Sequence, residues 1–217
     1  MNSGSSKFQH SPTPPAGGTG GAKKVVLGFS GGLDTTFCVK YLSEDQGYEV
    51  HSIIVNTGGF SDEELKKIEE HAYTLGVKTH TTVNAIKGYY DRIIKYLIYG
   101  NVLKNNTYPL SVSAERLSQA LHIAEHAQKL KADAVAHGST GAGNDQVRFD
   151  MIFHIMIPGV EIVTPIRDLK LSREQEIEYL KSKGVTDAEL GRPIDQIGAT
   201  IDQAIIIEPL ERHAHRT

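Results

Sequence analysis

Val25, Val26, Leu27 and Phe29 form a short apolar run, the pattern of a parallel strand covered on both faces. Phe37, Cys38, Tyr41 and Leu42 follow at helical spacing, so the pattern predicts a strand over 24–29 and a helix over 34–46. The alternation then repeats. Val50 to Val55 reads as a second strand, and Ser61 with Glu64 forms a capping box ahead of a helix over 62–75. Val77 to Val83 reads as a third strand, followed by a helix through Tyr96. Ser113 is the expected cap of a long helix to Lys131, with Leu117, Leu121, Ala124 and Ala127 on one face. Ala132 to Ala136 is a fourth strand, 145–156 a helix and 161–163 a further strand. Ser172 begins a last helix to Lys183, with Gly184 as its stop signal. Strand and helix alternating in this way predict an α/β fold, a doubly wound parallel sheet covered on both faces. In such sheets ligands sit at the carboxyl ends of the strands.

The two ends of the chain break this rhythm. Residues 1–22 are rich in Ser, Gly, Pro and Thr and bury too little apolar surface to offset chain entropy. They read as a disordered extension, leaving one folded domain over 23–185. In the tail, 186–217, Ile194, Ile197, Ile201 and Ala204 are spaced as one helical face.

Composition narrows the setting. The chain has 217 residues and a formal net charge of -3, which gives no reason to expect a nucleic acid or a membrane as partner. A single cysteine, Cys38, excludes a disulfide framework within the chain and any Cys-x-x-Cys pair. With no bilayer-length apolar stretch and no signal-peptide pattern, the cytoplasm is the expected location.

The chemistry begins where the first strand ends. Ser30, Gly31 and Gly32 let the backbone turn tightly into the helix, and amides at such a turn favour an anion, here a phosphate. No lysine sits in this turn, so it is not a Walker loop, and Gly28, Gly31 and Gly32 do not have dinucleotide-fingerprint spacing. The bland alternative is a strand–turn–helix whose glycines serve only the turn.

A second string, His137 to Arg148, follows the fourth strand. Gly138, Gly141 and Gly143 permit close backbone approach, while Thr140, Asn144, Asp145 and Arg148 gather a hydroxyl, an amide, a carboxylate and a guanidinium. Asn144 and Arg148 are four apart, hence on one face if helical. A guanidinium suits a substrate carboxylate and a carboxylate suits an ammonium, the parts needed to hold amino acids. The bland reading is a polar loop with a surface Asp145–Arg148 ion pair. His122-Ile123-Ala124-Glu125-His126 matches a zinc-peptidase string, but the apolar face assigned above turns both histidines to the polar side, so no metal ligands are assigned.

Ser30-Gly31-Gly32-Leu33-Asp34-Thr35 resembles the pyrophosphatase loop of the ATP-pyrophosphatase (PP-loop) superfamily. With Tyr108-Pro109-Leu110-Ser111-Val112-Ser113 and Gly143-Asn144-Asp145-Gln146-Val147-Arg148-Phe149, residues 24 to 185 resemble the argininosuccinate synthase family. The resemblance implies an adenine nucleotide alpha hydrolase-like domain of the HUP class. It also implies an ATP-dependent ligase of arginine biosynthesis that joins citrulline to aspartate through citrullyl-AMP, releasing AMP and pyrophosphate. It implies ATP and Mg2+ as cofactors. Gly28, Phe29, Ser30, Gly31, Gly32, Leu33, Asp34, Thr35 and Thr36 would hold the ATP phosphates, with Val55 near the adenine and Gly138 near the nucleotide. Tyr108, Ser113, Asn144 and Arg148 resemble citrulline contacts, and Thr140, Asn144 and Asp145 aspartate contacts. No side-chain nucleophile is evident, so catalysis would be positioning plus electrostatics.

The chain departs from the family in two places. Ala142 stands where many members carry lysine, and 186–217 does not resemble the family's continuation into substrate-binding and oligomerising segments. Family members form homo-oligomers through that region, so a monomer or an exposed apolar surface is expected here. A truncated ATP-binding remnant without turnover is the alternative reading, and another PP-loop enzyme the third. The sulfur-transfer branch relies on paired cysteines, and the amidating branch on a glutaminase module; neither is present in this sequence.

Overall fold

A computed structural model of the chain describes residues 21–104, 106–141 and 143–190. Apart from residues 21 and 22, the predicted extension lies outside the described residues, as do Ala142 and the helical face of Ile194, Ile197, Ile201 and Ala204.

In chain order the elements are β1 (Lys24–Gly28), α1 (Leu33–Lys40) running into a π-helical turn at Tyr41–Asp45, β2 (Glu49–Asn56), α2 (Asp62–Thr74) and β3 (Thr79–Asn84). Then come α3 (Ile86–Tyr89), a π-helical turn at Tyr90–Ile94, α4 (Lys95–Tyr99), the short strands β4 (Leu103–Lys104) and β5 (Tyr108–Pro109), and α5 (Ser111–Leu130). The chain continues through β6 (Ala134–Ala136), α6 (Asp145–Met156), β7 (Glu161–Val163), α7 (Pro165–Leu169), α8 (Arg173–Ser182) and a 3₁₀ turn at Asp187–Glu189.

β3-β2-β1-β6-β7 is the order of the main sheet, and all its pairings are parallel. Both faces are covered. Val25, Leu27, Val50 and Ile54 face a cluster with Phe37, Leu42, Leu65, Ile68 and Leu180 from α1, its π turn, α2 and α8. Val26, Ile53, Val55 and Val135 face the opposite cluster, with Ala120, Ile123, Ala124 and Phe153 from α5 and α6. This period-2 split explains why the strands read as unbroken apolar runs. The strand order reverses at β1, so the switch point lies between the carboxyl ends of β1 and β6, which carry the two strings singled out above.

Ser61 and Ser172 cap α2 and α8 with reciprocal capping boxes, Ser61 as expected. Ser113 is not a cap: α5 begins at Ser111, with Leu110 at the cap position. The buried face of α5 is also shifted from the expected one. Ala120, Ile123, Ala124 and Ala127 are buried, whereas Leu117 and Leu121 are only half-buried. Small side chains let the helix sit close to the sheet, and the leucines flank that seam. The β4–β5 hairpin and α7 had no counterpart in the predicted pattern.

Candidate functional site

The turn after β1 is pinned on both sides. The Phe29 amide donates to the Ile53 carbonyl (2.9 Å), which carries the chain to the carboxyl end of the sheet. Gly31 has a φ of 74°, a conformation glycine adopts without strain, and a Cβ there would press on Ile68 at 3.2 Å. Gly32 is the cap of α1, and no side chain caps this helix start. The Thr35 hydroxyl donates to the Gly32 carbonyl (3.1 Å) and lies 3.4 Å from the Ser30 hydroxyl. Thr36 Oγ1 meets His71 Nε2 of α2 at 3.1 Å. Phe29, Leu33 and Thr36 are buried, so they build the turn, while Ser30 and Asp34 are the partly exposed polar groups at its mouth. Amides at an uncapped helix start, on a glycine turn, are of the kind that favours an anion.

The second string closes against the first. At Gly138 a Cβ would stand 3.3 Å from Asp34 Cβ and 3.3 Å from Thr35 Cγ2. Val55 is buried in the α5-side cluster near the carboxyl end of β2. Thr140 is exposed on the loop, and Asn144 is the cap of α6. Tyr108 pairs with Lys104 in the β4–β5 hairpin.

Three of the predicted substrate residues come together across α5 and α6. Arg148 donates from Nη1 to Asp145 (2.7 Å) and from Nη2 to the Ser113 hydroxyl (2.9 Å). Asp145 also accepts from Nε of Arg116 (3.1 Å). Arg116 reaches Gln119 (3.0 Å), and Gln119 donates to Glu115 (3.2 Å), which accepts the Thr57 hydroxyl at 2.6 Å. The result is a patch with two guanidinium groups and two carboxylates in alternation. Such a patch can exchange one internal partner for the carboxylate of a ligand and another for its ammonium. Arg116 and Glu115 were missed in the sequence. Arg116 sits three residues after Ser113, and that helical spacing was the available signal.

A second missed group braces the loop from behind. The Ser139 amide donates to Nδ1 of His137 (3.2 Å), so Nε2 carries the proton and donates to Asp150 at 3.0 Å. Arg167, on α7, donates to Asp150 (2.6 Å) and to Gln146 (3.2 Å), and Gln146 donates to the Gly141 carbonyl (2.9 Å). The hydrogen bond from His137, helped by Arg167, holds the Asp150 carboxyl down to about 2. Both ends of the 137–141 segment are thereby tied to one cation. Arg167 lies just beyond the carboxyl end of β7, where the fold rule directs attention.

Cys38 is fully buried, and burial, with the Asp34 and Glu176 carboxyls nearby, pushes its thiol well up. It offers no nucleophile. His122 pairs with Glu125 (3.5 Å), and among the described residues no group of three His, Cys, Asp or Glu side chains is placed to hold a metal ion. His126 is not wholly on the polar side as expected: its Nε2 is buried without a hydrogen-bond partner.

Known proteins match this sequence. The family model described as "Arginosuccinate synthase N-terminal HUP domain" matches residues 24–186. The argininosuccinate synthase of Saccharolobus solfataricus is 43% identical over 162 residues, covering 75% of this chain and 41% of the relative. That of Methanocaldococcus jannaschii is 44% identical over 161 residues, 74% of this chain and 40% of the relative. That of Methanococcus maripaludis is 42% identical over 193 residues, 87% and 48% respectively. The chain thus spans less than half the length of these curated relatives.

Proposed function

Because the chain belongs to the argininosuccinate synthase family, we propose that it carries the ATP- and amino-acid-binding half of a ligase that joins citrulline to aspartate. The observation that carries this reading is the packing of Gly138 on Asp34 and Thr35, which brings the loop after β6 against the β1 turn.

In this reading the turn from Gly28 to Thr36 cradles the phosphates of ATP through its amides, with Ser30 and Thr35 hydroxyls beside them. Val55 borders the adenine and Gly138 the nucleotide. Arg148 and Ser113, with Tyr108 and Asn144, hold citrulline. Asp145, Thr140 and Asn144 hold aspartate, Asp145 accepting from its ammonium. Magnesium, if bound together with ATP, would neutralise the charge that develops on the phosphates. The citrulline ureido oxygen attacks the α-phosphorus and pyrophosphate departs. The aspartate amine then attacks the activated carbon, loses a proton and expels AMP, which keeps the former ureido oxygen. The residues named position these groups and compensate charge, and none is a nucleophile. A cytoplasmic location belongs to the same proposal. No described helix is long and apolar enough to cross a membrane.

The test is pyrophosphate release from ATP that depends on both citrulline and aspartate. Sustained release over many turnovers with ATP alone, or with only one amino acid, would sink the two-substrate reading, whereas a single equivalent with ATP and citrulline fits the first step. A second reading is favoured by the 41% coverage of the Saccharolobus relative: a nucleotide-binding part that needs the remaining sequence for turnover. It predicts ATP binding without release.

A further inference from the structure

Glu176 is an acidic residue placed where an ionised acid fits badly. It lies on α8, which packs against α1, and it is 2% exposed. Its Oε2 is buried and no donor from the described chain reaches it. The group that meets its carboxyl is another carboxyl, that of Asp34 in the first turn of α1. Two ionised carboxylates at such a contact repel, and the buried one would lack a hydrogen bond at its Oε2. One shared proton resolves both problems. Asp34 is the better anion of the two, being more exposed and at a helix N-terminus. The proton therefore belongs on Glu176. Among the described residues, the other groups acting here are Arg173, one turn back on α8, and the Cys38 thiol, one turn along α1. Arg173 favours the charged form of both acids, but burial outweighs it at each and raises both carboxyls, Glu176 being the more buried of the two.

We propose that Glu176 is a positioning residue of the phosphate turn: as a neutral acid it donates a hydrogen bond to the Asp34 carboxylate and fixes that group at the mouth of the site. This rests on the turn being the phosphate site. Burial and the neighbouring Asp34 push the Glu176 carboxyl up to about 8. Above that pH the donor is lost, the two carboxylates repel, and a second negative charge faces the incoming phosphates.

The test uses the full chain in two measurements. The first is ATP affinity from pH 6 to 9.5 for the native protein, Glu176→Gln and Glu176→Leu. Gln keeps a donor and never ionises; Leu has neither property. The native protein should lose about tenfold in affinity from pH 7 to 9, an order set by one added like charge. Glu176→Gln should remove that loss and rescue the neutral-pH affinity that Glu176→Leu lacks. Identical pH profiles for the native protein and Glu176→Gln would overturn the proposal. The second measurement is the side-chain carboxyl carbon shift of Glu176 by NMR, which needs no nucleotide. A carboxyl still protonated at pH 7 supports the pair, and one already ionised at pH 6 overturns it. If no variant binds ATP at any pH, the phosphate reading falls and this carboxyl titration alone decides the hydrogen bond.

Discussion

Gly138 rests directly on Asp34: a Cβ at position 138 would lie 3.3 Å from Asp34 Cβ and 3.4 Å from the Asp34 carbonyl carbon. This contact joins the loops after β6 and β1, so it can be broken on purpose. In Gly138→Ala the neighbours that must yield include α1 backbone, which is stiff, and overpacking of this kind costs about 1–3 kcal/mol. ATP affinity should fall about tenfold, the equivalent of 1.4 kcal/mol within that range. Gly88→Ala, on α3, is the contrast: a Cβ there meets nothing within 4 Å, so ATP affinity should change little. Calorimetric titration of both variants checks the difference, and equal losses would refute the special role of the Gly138 contact.

How much of this was legible in the sequence differs from element to element. β1 and its turn could be read because a fully buried strand is a continuous apolar run and the turn needs glycine where φ is positive. Ser113 was misread because local preference favours serine at a cap, whereas a guanidinium 35 residues away recruits its hydroxyl. Asn144 and Arg148 do stand one helical turn apart, the Arg148 amide donating to the Asn144 carbonyl at 3.3 Å, and the Asp145–Arg148 ion pair of the bland reading forms beside them. The α5 pattern had the right period and a shifted face: Ala124 and Ala127 are buried as expected, but α6 and the sheet cover Ala120 and Ile123 in place of Leu117 and Leu121. Arg167 and Glu176 left no local trace. Their partners, Asp150 and Asp34, lie on other helices, and only the tertiary fold brings them together.

Arg148 separates binding from stability. Its side chain and that of Asp145 are 25% and 40% exposed, so their ion pair is screened and contributes at most about 1 kcal/mol. Arg148→Lys should therefore barely move the unfolding temperature. It keeps the charge but loses the two-pronged geometry, so citrulline binding should weaken by about 10-fold or more. Titration of citrulline in the presence of a non-hydrolysable ATP analogue is the measurement. Unchanged affinity would remove Arg148 from the proposed citrulline site.

Arg167 should behave in the opposite way. Arg167→Ala strips the charge-assisted hydrogen bonds from Asp150 and Gln146, a loss of about 1.5–3 kcal/mol for bonds of this kind. Hydrogen exchange should quicken in the 138–141 segment, which Gln146 and His137 tie down, and stay unchanged in β2. The acid limb should move too. Asp150 titrates lower folded than unfolded, so its contribution is present above the usual carboxylate range and is lost as pH falls towards about 2. Removing Arg167 raises the folded value and narrows that window. Acid unfolding followed by circular dichroism should begin at a higher pH in the variant.

His80 sets a separate pH window, nearer neutrality. It is buried between β2 and α2, its Nδ1 lies 2.8 Å from the Ser52 hydroxyl, and its Nε2 is buried without a partner. Burial lowers its pKa, with Glu69 opposing weakly. The folded protein therefore keeps His80 neutral at pH values where the unfolded chain already binds a proton. Above about pH 6.5, the ordinary histidine value, both states are neutral and the residue exerts no pH dependence. Below it the unfolded state gains the proton first, so stability falls as pH falls. His71 is shifted the same way by burial and adds to the slope. His80→Phe cannot be protonated and keeps a ring beside Phe29, now 6.2 Å away edge-on. Denaturant unfolding at pH 7.5 and 5.5 should show a smaller loss of stability in His80→Phe than in the native protein. An equal loss in both would mean that His80 is protonated without penalty in the folded state, and that its surroundings are wetter than its burial implies.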